Sequence, residues 1–257
     1  MRASTAKRFV IGIGGFLVGG SVLLFLKGDP QAGDIARQTL VLVIVVGGIF
    51  WLGYRFRVVP RRESFRGQTG ALAFTAQPGD PLGLVDLPFS LFHWLGSVRQ
   101  IENTATGTHG GRELVIADYW FAPSSAEQYD DYERYTCVLG PAVPGWSEVT
   151  VVPERWTSRL RDAIGAEVVA TDTESEDFNR AFRIRATDRR FASAFVDARM
   201  MAWLLEQGQG VGFEVLGDRV MVFRKRATAS LDDVADVLAL YDAFLERVPR
   251  IVASGSI

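Results

Sequence analysis

The chain has 257 residues, with 28 Lys and Arg against 30 Asp and Glu. These charges are unevenly placed: the first 66 residues hold 10 Lys and Arg against 3 Asp and Glu, and the remainder holds 18 against 27. The acidic C-terminal part argues against a nucleic-acid-binding protein, because phosphate binding depends on Lys and Arg. The single cysteine, Cys137, excludes an intramolecular disulfide and fits a reducing compartment.

Two apolar runs without a charged side chain lie near the N-terminus, over residues 9–26 and 40–54. The first run has 18 residues, and about that number lets a helix cross the hydrocarbon core of a bilayer. The second run has 15 residues and is extended by Gln38, Thr39 or the stem of Arg55 at the interfaces. Because only 13 residues separate the runs, the pattern predicts a two-helix transmembrane hairpin.

Basic residues on both flanks of this hairpin predict its orientation. Lys and Arg stay on the cytoplasmic side because moving them across the bilayer is costly. They precede the first run and follow the second, as Arg2, Lys7, Arg8, Arg55, Arg57, Arg61, Arg62 and Arg66. We therefore expect a multi-pass protein of the plasma (inner) membrane with both termini in the cytoplasm. Residues 1–66 would form the hairpin and its basic neck, and residues 67–257 a cytoplasmic domain.

Two other interpretations of the apolar runs stay open. A cleaved signal peptide also combines a basic start with an apolar run. However, no small-x-small cleavage site follows Leu26, and a second apolar run comes at once. The other interpretation is a buried helical pair in a soluble core, which the Arg-dense flanks disfavour. The lipid bilayer is thus the first expected partner.

The first half of the domain favours strands. Residues 66–88 are punctuated by Gly and Pro and predict a neck with one short strand at 72–75. Strands at 97–106 and 113–121 flank the glycine turn 107–111, which is a hairpin signal. Further strands are predicted at 135–139 and 149–152, and Pro153 opens a predicted helix to Ile164.

The second half has clearer periodicity. It predicts a strand over 182–185 and a helix over 191–205 that is capped by Asp188. Two further strands, over 211–216 and 219–224, form a predicted hairpin about Gly217-Asp218. A last helix is predicted over 234–248, after a capping box that begins at Ser230. Strands and helices alternate without a βαβ rhythm. We therefore expect an α+β fold, with a mainly antiparallel sheet packed with helices, behind the transmembrane hairpin.

Motifs of catalysis and cofactor binding are missing from the sequence. His93 and His109 are far apart and lack metal-ligand spacing, and Cys137 lies in an apolar strand as a small buried hydrophobe. No nucleophile elbow, phosphate loop or dinucleotide fingerprint occurs. The acidic clusters at 130–133 and 172–177 are interpreted as solvated loops, because neither has the glycine of a calcium loop. No catalytic, cofactor or metal residue is therefore predicted.

A small-residue motif lies within the first apolar run. Gly15 and Gly19 form a Gly-x-x-x-Gly, which lets helix backbones approach closely in lipid. The motif fits packing of the two spans against each other. It fits a homodimer or a partner membrane protein equally well.

From about residue 87 the chain resembles uncharacterised membrane-anchored proteins of actinobacteria, which are grouped as a domain of unknown function. The resemblance is carried by Pro88-Phe89, the turn 107–112 leading into 116–119, the stretch 151–154, and Glu-Ser-Glu-Asp-Phe-Asn-Arg-Ala-Phe-Arg at 174–183, continuing through 198–201 to 249. It implies membrane attachment and a cytoplasmic domain. It implies no activity, cofactor or catalytic residue.

Two functions from different classes follow. The first is a membrane-tethered cytoplasmic domain that acts as a protein-binding or scaffolding module without catalysis. The alternative is a membrane-associated hydrolase or lipid-handling domain with a carboxylate-lined pocket. That alternative requires Asp118, Asp131 or Glu133 to converge in a cleft. Whether the protein is an enzyme is left open, and the balance of motifs leans against it.

Overall fold

A computed structural model gives the fold, and it describes residues 32–53, 55–56, 59–93, 96–123, 132–154, 169–171, 173–227 and 233–253. Contacts divide the chain into two compact units, Met1–Glu63 and Ser64–Ile257. The predicted span over 9–26, with Gly15 and Gly19, lies outside the described residues, as does Asp131.

The described part of the first unit is mainly one helix, α1 (Ala32–Gly53). Many of its exposed side chains are large and apolar, namely Leu40, Val41, Leu42, Ile44, Val45, Val46, Ile49, Trp51 and Leu52. No helix among the described residues is both long enough and apolar enough to cross a membrane. The predicted span over 40–54 is therefore not confirmed. Polar residues Asp34, Arg37 and Gln38 occupy the start of α1. The apolar part of α1 that follows them is about 21 Å long, at about 1.5 Å per residue. The hydrocarbon core of a bilayer is about 30 Å thick.

A second helix, α2 (Val59–Ala71), replaces the predicted start of the neck, and the boundary between the two units falls within it. Gly67 and Gly70 disfavour a helix there, but tertiary packing overrides propensity. Within the second unit, Phe65 is buried, and the buried Thr69 hydroxyl donates to the Phe65 carbonyl at 2.7 Å. The first strand accordingly begins at Thr75, later than predicted.

The described residues of the second unit form one sheet of nine strands in the order β1-β2-β3-β4-β9-β8-β5-β7-β6. The strands are β1 (Thr75–Pro78), β2 (Gly96–His109), β3 (Arg112–Pro123), β4 (Glu133–Pro141), β5 (Val149–Pro153), β6 (Val169–Thr171), β7 (Phe182–Ala186), β8 (Val211–Leu216) and β9 (Arg219–Lys225). Every neighbouring pair among them is antiparallel. The prediction of an α+β fold with a mainly antiparallel sheet is confirmed.

Both predicted hairpins form about glycines with a positive φ. The turn between β2 and β3 uses Gly110 at φ 55° and Gly111 at φ 75°, and the turn between β8 and β9 uses Gly217 at φ 57°. Glycine adopts this left-handed region without the steric cost that a Cβ brings. The turns align β2 with β3 and β8 with β9 residue by residue, apart from irregularities near Gly96 and Ile101.

One face of the sheet packs against helices. These are α3 (Glu176–Ala181), α4 (Arg189–Phe195), α5 (Ala198–Gln207), α6 (Val234–Arg247) and α7 (Arg250–Ala253). The helices and this face of the sheet enclose a first hydrophobic core. Side chains along β7 alternate between the two faces: Phe182 and Ile184 are buried in the first core, while Arg183 between them is partly exposed. We call this side the helix face.

The other face is covered by a short segment instead of helices. Residues 84–93, which we call the strap, form two 3₁₀ turns, Leu84–Asp86 and Ser90–His93. Their apolar side chains join those of the sheet in a second core, whose buried members are Leu84, Phe89, Leu91, Phe92, Ile101, Ala117, Tyr119, Phe121, Tyr135, Cys137, Leu139, Val152, Met221 and Phe223. We call this side the strap face.

Three local predictions need correction. The predicted helix over 191–205 is two helices: α4 ends at Phe195 with Val196 as its C-cap, and Asp197 caps α5 by accepting a hydrogen bond from Met200 N at 2.9 Å. The predicted loop at 172–177 contains the start of α3, whose N-cap is Ser175. Helix α6 has Asp233 as its N-cap, and the predicted cap Ser230 lies outside the described residues, as does the predicted helix beyond Glu154.

Candidate functional site

Of the three carboxylates predicted as an alternative catalytic set, the two that the structure describes do not converge. Asp118 follows Ile116 on the helix face of β3, and it is wholly buried. Glu133 precedes Tyr135 and Cys137 in the alternation of β4, which places it on the strap face. Asp118 and Glu133 therefore lie on opposite sides of one sheet, and Asp131 lies outside the described residues.

Asp118 belongs to a buried charged group on the helix face. The Arg226 cluster consists of Arg226 with the carboxylates of Glu102, Asp118 and Asp233. Arg226 Nη2 lies 3.6 Å from Glu102 Oε2. Arg226 Nε lies 4.0 Å from Asp118 Oδ1 and 3.9 Å from Asp233 Oδ2. The guanidinium thus balances part of the negative charge of three carboxylates that come from different elements.

Neutral side chains complete the cluster. Asn103 Nδ2 donates to Asp118 Oδ2 at 2.9 Å, and the Thr136 hydroxyl donates to Asp233 Oδ2 at 2.9 Å. Buried charges are tolerated only with such partners, because desolvation otherwise costs several kcal/mol. Among the described residues, no group of three metal-ligating side chains is arranged to hold a metal ion. The cluster is therefore suited to joining strands and a helix.

Glu133 is also engaged by neighbours of its own. Its Oε2 accepts a hydrogen bond from the Tyr135 hydroxyl at 2.5 Å and pairs with Lys225 Nζ at 3.2 Å. These two contacts hold the Glu133 carboxylate beside β9, the strand that carries Lys225.

Cys137 and the two histidines each contact neighbouring residues of the fold. Cys137 is fully buried in the second core, and burial raises the pKa of its thiol. A raised thiol pKa opposes the thiolate form that a nucleophile or metal ligand needs. His109 Nε2 lies 2.8 Å from Asp242 Oδ2, and His93 Nδ1 lies 3.2 Å from the Phe89 carbonyl oxygen. The prediction of Cys137 as a small buried hydrophobe is confirmed.

An open groove lies at the hairpin ends of the sheet. This hairpin groove has a volume of about 860 Å³. Its uncharged lining includes Leu82, Leu84, Thr106, Thr108, Val115 and Leu139, and its charged lining is Arg112, Glu113, Asp218 and Arg219. Two positive and two negative side chains leave no excess of either charge. The groove therefore suits an apolar ligand surface with a polar margin better than a charged small molecule.

Glu214 is the polar residue that the sequence interpretation missed. It lies on the strap face of β8 and is only 2% exposed. Its carboxylate oxygens accept hydrogen bonds from Ser90 N at 2.8 Å, Ser90 Oγ at 2.5 Å and Leu91 N at 3.0 Å. One signal was present in the sequence, since a glutamate interrupts the apolar strand Val211–Leu216. Nothing local indicated that residues 90 and 91 would be its partners.

Comparison of the chain with protein-family models, with curated proteins and with solved structures finds no match. The resemblance to membrane-anchored actinobacterial proteins therefore stays a prediction.

Proposed function

We propose that the protein is a membrane-tethered scaffolding domain that binds another protein at the cytoplasmic face of the plasma membrane. The observation that carries this proposal is the hairpin groove, whose lining combines aliphatic side chains with charges of both signs. The carboxylates of Asp118, Glu133 and Glu214 are not part of its lining. A groove of this composition favours recognition of a protein surface over chemistry on a substrate.

Attachment to the bilayer rests on the N-terminal residues. The run over 9–26 is long enough to cross the hydrocarbon core, and basic residues flank the proposed hairpin on one side. In this proposal α1 returns the chain to the cytoplasmic side. The stems of Arg37 and Gln38 then lie along apolar surface, with their polar ends in the headgroup layer. The exposed apolar side chains of α1 would contact lipid.

Membrane attachment is tested by fractionation of cells that express the full-length chain. We expect the protein in the membrane pellet after ultracentrifugation, and we expect it to resist alkaline carbonate and to dissolve in detergent. Reporter fusions at the C-terminus and within the loop 27–39 should report opposite sides of the membrane. Recovery of the protein in the supernatant without detergent would contradict the attachment.

Partner binding is tested with a photo-reactive amino acid at Leu82, which is 50% exposed at the margin of the hairpin groove. We expect irradiation of intact cells to yield a reproducible adduct with one protein, because the groove would hold that partner against position 82. The matched control is Leu205, a leucine on α5 that is 37% exposed and outside the groove. Equal adducts at both positions, or none at Leu82, would argue against the groove. An adduct with a second copy of the chain would make the partner a homodimer.

The alternative function, a hydrolase or lipid-handling domain, has less support. Asp118 is buried rather than exposed to bulk solvent, but it lies on the opposite face of the sheet from Glu133. Both carboxylates could line one pocket only if one of the two side chains pointed to the other face of the sheet.

A further inference from the structure

The strap is attached to the sheet by side chains and not by a backbone ladder. Within the described residues, its backbone-to-backbone hydrogen bonds stay within residues 83–93, such as Leu87 N to Leu84 O and Phe92 N to Phe89 O, both at 3.0 Å. No described strand pairs with it. Removing the strap from the surface would therefore leave the hydrogen bonds of the nine strands intact.

Glu214 provides the central polar attachment. Its Oε2 accepts hydrogen bonds from the backbone N–H and the hydroxyl of Ser90, and its Oε1 accepts one from Leu91 N. The ends of the strap have separate attachments. Asp80 accepts hydrogen bonds from Leu84 N and Val85 N at 2.8 and 2.9 Å, and Arg99 Nη1 donates to Phe92 O at 2.7 Å.

The surface beneath the strap is aromatic and continues into the hairpin groove. The ring of Phe92 meets that of Tyr119 edge to face, with centroids 5.1 Å apart. Leu84 and Leu139 belong to the second core and also line the groove. The strap thus forms one wall of the groove, and its displacement would join the groove to the apolar surface of the sheet.

We infer that the strap is a displaceable cover, fastened by Glu214, whose opening exposes the aromatic strap face of an otherwise folded domain. Opening is a sub-global event, because it breaks side-chain attachments and apolar contacts but no strand pairing. The opened surface would extend the groove with the buried side chains of Tyr119, Tyr135 and Phe223. Opening concerns only the strap and the described strands beneath it, and it does not depend on membrane attachment or on a protein partner.

Cys137 is an internal probe for this opening. It is the only cysteine of the chain and is fully buried. It lies on the strap face in one row with Ala117 and Phe223. Burial, followed by the charges of Asp118 and Glu214, raises the pKa of its thiol. A thiol reagent should therefore reach Cys137 when the strap opens.

The experiment measures thiol labelling of the full-length protein in mild detergent with an excess of a chromogenic disulfide reagent. Urea is added in steps below the unfolding transition. We expect a labelling rate that rises with urea at low concentration with a smaller slope than that of global unfolding, and that then joins the steep dependence of global unfolding. A smaller slope marks an opening that exposes only part of the surface that global unfolding exposes. A rate that follows global unfolding at every urea concentration would overturn the inference.

Substitution of Glu214 tests the fastening directly. In Glu214→Gln, either orientation of the amide leaves Ser90 N or Leu91 N without its acceptor. We expect labelling at low urea to rise roughly 5- to 100-fold, as for a buried donor that loses its partner. Ser90→Ala removes only the hydroxyl donor, and a smaller rise of about 2- to 10-fold is expected. Ser90→Ala carries the test alone if Glu214→Gln fails to fold.

The matched control is Asp118→Asn, a buried carboxylate on the opposite face of the sheet. Asp118→Asn should lower global stability while changing labelling at low urea by less than about twofold, because the strap keeps its acceptors. The inference fails if Asp118→Asn accelerates labelling as much as Glu214→Gln. It also fails if neither Glu214→Gln nor Ser90→Ala accelerates labelling.

Discussion

At the scale of single residues, buried carboxylates in this protein differ in how their charge is balanced. Asp118 and Asp233 lie near the guanidinium of Arg226, whereas Glu214 is held by two backbone N–H groups and a hydroxyl. Burial raises the pKa of Glu214, and the hydrogen bonds from Ser90, Leu91 and Thr150 oppose that rise. Desolvation therefore outweighs the hydrogen bonds at this residue.

A raised folded-state pKa makes the contribution of Glu214 dependent on pH. This contribution is fully present below the ordinary value of 4.5, and it is lost as the pH rises through the folded-state pKa. We expect the free energy of unfolding of the wild type to increase relative to Glu214→Gln as the pH falls from 7 toward 4.5. Urea unfolding of both proteins across this range measures the difference. A difference that stays constant with pH would contradict the raised pKa.

At the scale of elements, the N-terminus of α6 is capped from outside the helix. The side chain of its N-cap Asp233 makes no capping hydrogen bond, because it accepts one from Thr136 instead. Gln68 Oε1 on α2 accepts from Val234 N at 3.0 Å, and Gln68 Nε2 donates to Ser64 Oγ at 2.8 Å. One end of α6 therefore depends on a side chain that another helix orients.

Removal of this remote cap should destabilise the second unit. We expect Gln68→Ala to lower the free energy of unfolding by about 1 kcal/mol, the usual effect of losing a helix N-cap. Arg66→Ala is the control, because Arg66 is an exposed residue of the same helix and its replacement should change stability by less than about 0.5 kcal/mol. Chemical denaturation followed by circular dichroism compares them. Equal losses in both variants would attribute the effect to α2 itself.

At the scale of the whole molecule, the second unit has one sheet with two differently covered faces. Helices bury the helix face, and the ten-residue strap covers part of the strap face. The Arg226 cluster connects β2, β3 and the N-terminus of α6 through charges that are distant in sequence. We therefore expect the Arg226 cluster to contribute to the free energy of global unfolding and not to the free energy of strap opening.

Arg226→Met should be strongly destabilising, because it leaves three carboxylates without their guanidinium. We expect a loss of about 3–5 kcal/mol in the free energy of unfolding, as for other buried ion pairs that lose one partner. The neighbouring Lys225→Met is the matched control. Lys225 has a partly exposed side chain, and loss of its pair with Glu133 should cost less than about 1 kcal/mol. Similar losses in the two variants would show that the Arg226 cluster is screened by solvent.

Predictions from sequence succeeded where the determining interactions are local. The β8–β9 hairpin follows from Gly217 at a left-handed position, and the start of α4 follows from Asp188, which accepts hydrogen bonds from Arg190 N and Phe191 N. The predictions failed where contacts between residues distant in sequence determine the local structure. Helix α2 passes through Gly67 because Phe65 and Thr69 are buried by tertiary packing.

The residues of the candidate sites also differ in whether local or distant interactions determine their surroundings. The sequence by itself determined the alternation of β7, the glycine turns and the apolar surroundings of Cys137, because each depends on neighbouring residues. Only the tertiary structure decided that Asp118 and Glu133 face opposite sides, and that Glu214 meets Ser90 across 124 positions of the chain. Strand order and the path of the strap bring these groups together. Both arise from the joint burial of apolar surface by the whole chain, which no local pattern encodes.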